Sequence, residues 1–386
     1  MSWDIVRLGD FFVTTSGGTP MSSNKSYYEN GTIPWLNSGE VNQGIIYKSE
    51  KFITQAGLDN SSAKIIPKGS VLIAMYGATA GVVGLLYFKS AINQAICAVM
   101  PHRKVLPSFL FAYLKTQKNV LLGKTSGGAQ PNISQEIIKS LNVPIPPLDE
   151  QRRIATEIEH QLVIAERAKQ AAKEQLAIAQ ALNAAYLREV FVENKGVQTR
   201  LGDVCVFEGG SQPPKTTFRY SKQDGYIRLI QIQDYRRDDV AVYIPENLAR
   251  RFCKKDDVMI GRYGPPVFQI LRGLEGAYNV ALMKAYPKDN GRLDNGFLYY
   301  LLQEENIQNA VIEQSQRSAG QTGVDKDFLE SRNVCLPDIA TQQRIVSVVE
   351  KRLMASAKTR AVIQSQLNTI NVMPAAILRQ AFSGQI

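Results

Sequence analysis

The chain has 386 residues, room for about two domains, and its 44% hydrophobic and 21% charged content is that of an ordinary globular protein, not a disordered one. Lys and Arg number 45 against 35 Asp and Glu; the formal charge of +10 favours an anionic partner, nucleic acid before an acidic membrane surface. Four scattered cysteines (Cys97, Cys205, Cys253, Cys335) without a CxxC, and two histidines (His102, His160), argue against a metal site and for reduced thiols in a cytoplasmic protein. The opening MSWDIVRLGD lacks the basic n-region of a secretory signal.

Along the chain, the uncharged run Gly69–Phe88 has the length of a transmembrane helix, but its four glycines and central GATAG favour a buried hairpin of Val71–Tyr76 and Val82–Phe88. The deciding observation is a repeat. LGDFFVTTSGGTP from Leu8 meets LGDVCVFEGGSQP from Leu201. GSVLIAMYG from Gly69 meets DDVMIGRYG from Asp256, and AINQAICAVMP from Ala91 meets AYNVALMKAYP from Ala277. SFLFAYL from Ser108 meets GFLYYLL from Gly296, and AAYLREVF from Ala184 meets AAILRQAF from Ala375. The order is constant, so the chain is duplicated. The second copy of the apolar run carries Asp256, Asp257 and Arg262, which excludes a membrane span.

Each repeat ends in a segment poor in glycine and rich in Ala, Gln, Glu, Lys and Leu. Apolar residues recur there at helical spacing, at Ile154, Ile158, Leu162, Ala165, Ala172, Leu176, Ala179, Leu182 and Tyr186. An offset of 191 carries each onto Ile345, Val349, Leu353, Ser356, Ile363, Leu367, Ile370, Met373 and Ile377 without insertion, while the globular parts drift in register. A helix of this length spans roughly 70 Å, more than one domain core covers, and its narrow stripe asks for the other long helix as partner. Pro374 is expected to interrupt the second helix near its end.

The expected fold is therefore α+β: two repeated mixed α/β globular domains, 1–147 and 197–338, joined by two long antiparallel coiled-coil helices, 148–196 and 339–386. Residues 1–147 hold 13 Lys and Arg against 7 acids, whereas residues 197–338 hold 19 of each. The second domain then needs a local basic patch to meet an anion; Arg250, Arg251, Lys254, Lys255, Arg262 and Arg272 offer one.

Catalytic signatures are missing. There is no Walker A loop, no glycine fingerprint between strand and helix, and no Asn/Asp-Pro-Pro-aromatic tetrapeptide. No carboxylates are distinctively paired for general acid–base work.

Two further motifs open the long helices, PPLDEQRRI (Pro146–Ile154) and PDIATQQRI (Pro337–Ile345). The second helix ends in LRQAFSGQI, the first domain carries SGGTP (Ser16–Pro20), and both domains carry a Tyr-Gly. With the doubled arrangement, these make the chain resemble the specificity subunit of type I restriction–modification enzymes over essentially its whole length. The resemblance implies two target-recognition domains, each reading one half of a split target on double-stranded DNA. It implies helices that pair as a ruler and dock two methyltransferase subunits, with two translocase–nuclease subunits completing the complex. S-adenosylmethionine, ATP and Mg²⁺ would belong to those partners, and this chain would bind none. Non-identical domains imply an asymmetric target. The competing readings are a self-contained methyltransferase or nuclease, and a helical scaffold without DNA binding.

Polar positions that differ between the halves are the candidate readers. After the glycine pairs come Thr19, Ser22, Asn24 and Lys25, facing Ser211, Gln212, Lys215 and Thr216. Ser38, Glu40 and Asn42 oppose Gln231, Gln233 and Asp234; amides suit adenine and acids suit cytosine N4. Arg262 stands where the first half has Met75, and arginine is the bidentate reader of guanine O6 and N7. Tyr76 and Tyr263 precede glycine in both halves. Gln130 and Asn132, with Gln321 and Thr322, lie in loops that are close to DNA in proteins of this resemblance. Gln151 and Gln342 read as capping or subunit-contact residues. Ile154, Ile158, Leu162, Leu176, Ile345, Val349, Leu353 and Leu367 read as the helix-pairing and docking stripe.

The lack of catalytic motifs has a direct test. Highly purified chain, incubated with labelled S-adenosylmethionine and duplex DNA, is expected to transfer no methyl groups and, with Mg²⁺, to leave the duplex uncut. Methyl transfer without partner subunits would refute the reading.

Overall fold

A computed structural model describes residues 3–125, 131–192, 196–317 and 323–383. The chain divides into two units, one of residues 1–173 with 365–386 and one of residues 174–364. The division falls inside both long helices, Leu148–Val192 and Ile339–Phe382, at positions 191 residues apart.

In the first unit, Asp4–Arg7 pairs antiparallel with Asn142–Ile145, so the two ends of the globular part are tied just before the long helix begins. A five-stranded sheet runs Thr14–Ser16, Ile96–Val99, Val71–Ala74, Val83–Leu86, Ile45–Ile46. A four-stranded sheet runs Phe52–Ile53, Ile33–Leu36, Ser90–Ile92, Lys64–Ile66. The apolar run is the hairpin expected: Val71 faces Leu85 and Ile73 faces Val83, and all eight strand residues are buried. Its continuous hydrophobicity comes from burial on both faces of the sheet, not from lipid.

The second unit repeats this topology. Val197–Arg200 pairs with Asn333–Leu336. One sheet runs Cys205–Gly209, Leu282–Pro287, Val258–Gly261, Gln269–Leu271. The other runs Val242–Pro245, Tyr226–Ile230, Gly276–Tyr278, Phe252–Cys253. The parallel pairing of Trp35 with Ala91 recurs as Leu229 with Ala277, whereas the parallel edge strand Ile45–Ile46 of the first unit's larger sheet has no counterpart among the described strands of the second.

The glycine pairs are packing devices. A Cβ on Gly17 would sit 1.8 Å from the Ile92 carbonyl oxygen, and one on Gly210 would sit 1.9 Å from that of Asn279. Gly17 is thus the counterpart of Gly210, the register in which LGDFFVTTSGGTP meets LGDVCVFEGGSQP. The Gly17 and Gly18 N–H groups donate to Asn93 and Ile92, so neither is free to meet a phosphate.

Each unit closes its core with both long helices. In the first, Ile154 and Ile158 near the start of one helix share a buried cluster with Leu378 and Ala381 near the end of the other. In the second, Leu187, Val190 and Phe191 meet Ile345, Val349 and Leu353. The pairing is antiparallel in both. Phe382 packs on Phe109 with ring centroids 5.4 Å apart, and its repeat counterpart Phe191 packs on Phe297 at the same separation. The recurrent Phe that ends AAYLREVF and AAILRQAF is therefore the plug of a globular core. Ser356, a polar residue in the stripe, donates to the Ala179 carbonyl at 3.2 Å across the helix pair. Pro374 does not break its helix, a correction to the expectation: the segment stays helical through Phe382. A proline inside a helix removes one backbone donor, and packing on either side, by Leu367 before it and by Ile377, Leu378 and Ala381 after it, holds the rest.

The join between head and helix is a buried amide. Gln151 has no exposed surface. Its Oε1 accepts from the Leu106 N–H at 2.8 Å, and its Nε2 donates to the carbonyls of Lys104 at 2.9 Å and Pro146 at 2.8 Å. Gln342 does the same in the second unit, accepting from Asp294 at 2.8 Å and donating to Arg292 and Pro337, both at 2.9 Å. Neither glutamine presents a surface to a second chain; the subunit-contact role is corrected to an internal clamp. Buried Cys97 and Cys205 thiols are pushed up to about 12, and Cys253 to about 11, chiefly by loss of hydration, so all three stay protonated and unreactive at neutral pH.

Removing one clamp strands a donor and two acceptors, each worth ~1–3 kcal/mol when buried without a partner. Gln151→Ala and Gln342→Ala should each lower stability by about 3 kcal/mol in urea unfolding. Exposed Arg152→Ala should stay within ~0.5 kcal/mol. Clamp variants as stable as that control would refute the role.

Candidate nucleic-acid interface

In each unit three elements meet at one hairpin tip. In the first, the chain leaves Val71–Ala74 through Met75 and Tyr76. Met75 donates its N–H to Ala95 at 2.8 Å and accepts from Ile133 at 2.9 Å, and Tyr76 bridges Asn132. The 3-10 turn Glu40–Gln43 lies alongside, the Val41 carbonyl being 3.1 Å from where a Gly84 Cβ would stand. In the second unit Arg262 donates to Ala281 at 2.9 Å and accepts from Val324 at 3.0 Å. The 3-10 turn Ile232–Tyr235 lies beside Gly261. Backbone bonds thus place Arg262 on the spot of Met75, and Tyr263 on that of Tyr76.

Tyr76 and Tyr263 are 40% and 37% exposed, so they are surface residues at these tips and not core. Asn132 is exposed beside Tyr76. Asn42 and Gln233 are exposed on the 3-10 turns, while Ser38 and Gln231 are half-buried. Gln130, Gln321 and Thr322 lie outside the described residues. A second group sits against the smaller sheets. Thr19 is exposed and donates to Gln94 Oε1 at 2.6 Å. Ser22 and Lys25 are exposed, and Asn24 caps a short turn by accepting from Ser26 at 3.1 Å. In the second unit Gln212, Lys215 and Thr216 are exposed and Ser211 is half-buried. That loop is tied to the strand Val242–Pro245 by Arg219 and Tyr243.

Two predicted readers are corrected. Glu40 is buried, its Oε2 accepting from the Asn37 N–H at 3.0 Å and its Oε1 from Glu50 N–H at 2.9 Å and the Ser49 hydroxyl. Asp234 is also buried; Oδ2 accepts from the Gln231 N–H at 2.8 Å and Oδ1 receives Arg228 Nη2 at 2.7 Å. Both carboxylates are buried and accept from the backbone N–H three residues before them, which holds their own 3-10 turn in shape. They are counterparts of each other, so Asn37 matches Gln231 and Asn42 matches Arg236, not the pairs read from the sequence. Drift of the globular repeats hid this shift.

The basic patch is likewise dispersed. Arg251 Nη1 lies 2.5 Å from Glu208, and Arg272 lies 3.3 Å from Glu350 and stacks over Tyr299 at 4.1 Å. Arg262 is different: the Tyr263 ring lies 5.3 Å from its guanidinium, its Nε is buried without a partner, and no carboxylate among the described residues pairs with it. Arg236 and Gln269, beside the second tip, were passed over in the sequence, where two arginines and the two acids after them (residues 236–239) read as balanced charge.

On the helices, Ile154, Ile158, Ile345, Val349 and Leu367 are buried and Leu162, Leu176 and Leu353 half-buried. The buried ones serve their own unit and cannot dock another chain, which corrects the docking half of that expectation. Exposed apolar side chains on the helices include instead Val163, Ile164 and Val372 in the first unit, and Ile178, Met354 and Val362 in the second.

The contrast between Asp234 and Arg262 is measurable. Asp234→Ala leaves the half-buried Arg228 with only exposed Asp238 and frees the turn, and should lower the unfolding free energy by ~2 kcal/mol. Arg262→Ala removes a group whose Nε is unpaired and should be neutral within ~0.5 kcal/mol. Equal losses would place Arg262 in the structural framework.

The EcoR124I/EcoR124II specificity subunit of Escherichia coli is 29% identical over 152 residues, 38% of this chain and 38% of that protein. The MjaIX specificity subunit of Methanocaldococcus jannaschii is 28% identical over 234 residues, 55% and 54%. The chain thus spans about four-tenths to half the length of these two relatives. The EcoKI specificity subunit of Escherichia coli K12 is 21% identical, across 94% of this chain and 84% of that one. Among solved structures, a chain from work on complex assembly and conformational transition of the type I R-M system has TM-score 0.78 at 21% identity, covering 100% of this chain and 98% of that chain. The HsdS subunit from Thermoanaerobacter tengcongensis has TM-score 0.71 at 21% identity, covering 100% and 97%. These share the fold. The type I restriction modification DNA specificity domain matches twice, over residues 1–170 and 194–364, and the chain belongs to that family.

Proposed function

We propose that this chain is the non-catalytic specificity subunit of a type I restriction–modification complex and reads an asymmetric, bipartite target on double-stranded DNA, one half-site per unit. One observation carries the reading. Two units of closely similar topology bring the same three elements to a hairpin tip, yet differ there: buried Met75 and exposed Asn42 of the first stand where the second has Arg262 and Arg236. A shared scaffold with unlike tips suits a split target whose halves differ. Two methyltransferase subunits dock on the exposed apolar side chains of the long helices, and two translocase–nuclease subunits join them. S-adenosylmethionine, ATP and Mg²⁺ bind to those partners, and the complex works in the cytoplasm. Among the described residues no helix is long and apolar enough to cross a membrane.

The long helices set the gap between the half-sites. Their stripes keep a constant offset of 191, and the two units divide inside both helices, after Lys173 and after Gln364. A single insertion in the first helix would therefore be opposed by the second. Matched insertions of four residues at both places lengthen each helix by ~6 Å and turn it only ~40° beyond a full turn. One base-pair step is ~3.4 Å, so the spacer should grow by one or two base pairs with both half-sites unchanged. Methylated sites of the variant, co-expressed with its methyltransferase partners, give the answer. An active variant with the original spacer would sink the ruler, and altered half-site bases would show that the helices take part in base readout.

A further inference from the structure

The stretch that carries the second 3-10 turn holds three arginines in different electrostatic states. Arg228 lies 2.7 Å from Asp234 and 3.2 Å from Asp238, and Arg237 lies 2.6 Å from Asp239. Both are neutralised within the unit. Arg236 is exposed, and among the described residues no carboxylate stands within ion-pair distance of it. Its Nη2 donates to Gln269 Oε1 at 2.6 Å. Gln269 Nε2 donates in turn to the Pro266 carbonyl at 2.8 Å, which fixes the amide so that its oxygen faces the guanidinium. A neutral acceptor therefore orients the plane of Arg236 without cancelling its charge, and Gln269 takes only one of its five N–H donors. Cross-strand pairing sets Gln269 opposite Gly261, the residue before Arg262. The orphaned Nε alone does not single out Arg262, since Arg332 and Arg360 share that feature; its place at the tip, next to an oriented second arginine, does.

The first unit has Asn42 and Met75 at the corresponding positions, the latter 3% exposed. Its tip has no guanidinium there. We infer that Arg236, held in plane by Gln269, reads a guanine through O6 and N7 in the half-site taken by the second unit. The inference rests on the function proposed above and specifies its chemistry. A phosphate contact needs charge but no fixed plane, whereas a bidentate contact to a base edge needs both.

The experiment maps the methylated motif of the full complex by methylome sequencing in a host otherwise free of methylation, for wild type, Arg236→Ala and Gln269→Ala. In the Arg236→Ala complex a single G·C position in one half-site should become degenerate. Competition with duplexes carrying the mapped motif should show discrimination at that position falling roughly tenfold to a hundredfold. Gln269→Ala should give a smaller loss at the same position. Replacing that guanine by 7-deazaguanine removes the N7 acceptor. It should weaken wild type and leave Arg236→Ala unchanged, a signature that a merely structural role would not produce. Full discrimination in Arg236→Ala overturns the inference. So does equal weakening on target and random duplex, which marks a phosphate contact, or relaxation at an A·T position. A wild-type complex that methylates no split motif would sink the proposed function itself and take this inference with it, a result distinct from all of these.

Discussion

Everything in this chain hangs on an amide buried at the start of each long helix. The globular part ends, and the helix begins, at a place where backbone donors and acceptors are withdrawn from water. A side chain that both donates and accepts is required there, with the reach to span a loop and the segment before the helix. Glutamine meets that requirement: Gln151 binds Leu106, Lys104 and Pro146, and Gln342 binds Asp294, Arg292 and Pro337. Glutamate would lose both donations and leucine all three bonds. The clamp fixes the helix against its own head, and the tied strands beneath it, Asp4–Arg7 with Asn142–Ile145 and Val197–Arg200 with Asn333–Leu336, leave the head no hinge at that point.

The second constraint is the exchange of helix ends. The first core is plugged by Phe382 from the end of the chain, and the second by Phe191 from the helix that precedes it. Each unit's core therefore includes residues of both helices. Close packing at Gly17 and Gly210, and the inward carboxylates of Glu40 and Asp234, complete the same framework in both units. At the hairpin tips backbone bonds hold Met75 and Arg262 alike, and the side chains there differ between the units.

The duplication, the long helices and their stripe, and the buried hairpin were all legible in the residues, because they rest on local periodicity and on comparing one half with the other. The same comparison misplaced the readers. It set Glu40 opposite Gln233, where the fold sets it opposite Asp234, since insertions between the strands shift the register and no local signal marks them. It took two acids for base readers because composition does not say which way a carboxylate points. It expected Pro374 to end a helix that packing on both sides sustains.

The sequence by itself determined that two like domains sit on two helices of equal stripe, and its net charge of +10 set the expectation of an anionic partner. Periodicity and charge are properties of the chain, and they survive any rearrangement of loops. Only the tertiary structure decided which polar groups are spent. It sends Gln151, Gln342, Glu40 and Asp234 inward to satisfy buried backbone, and it pairs Arg228, Arg237, Arg251 and Arg272 with acids. Arg236 is left exposed with its charge uncancelled, because its hydrogen-bond partner is the neutral oxygen of Gln269, a residue 33 positions away in the chain.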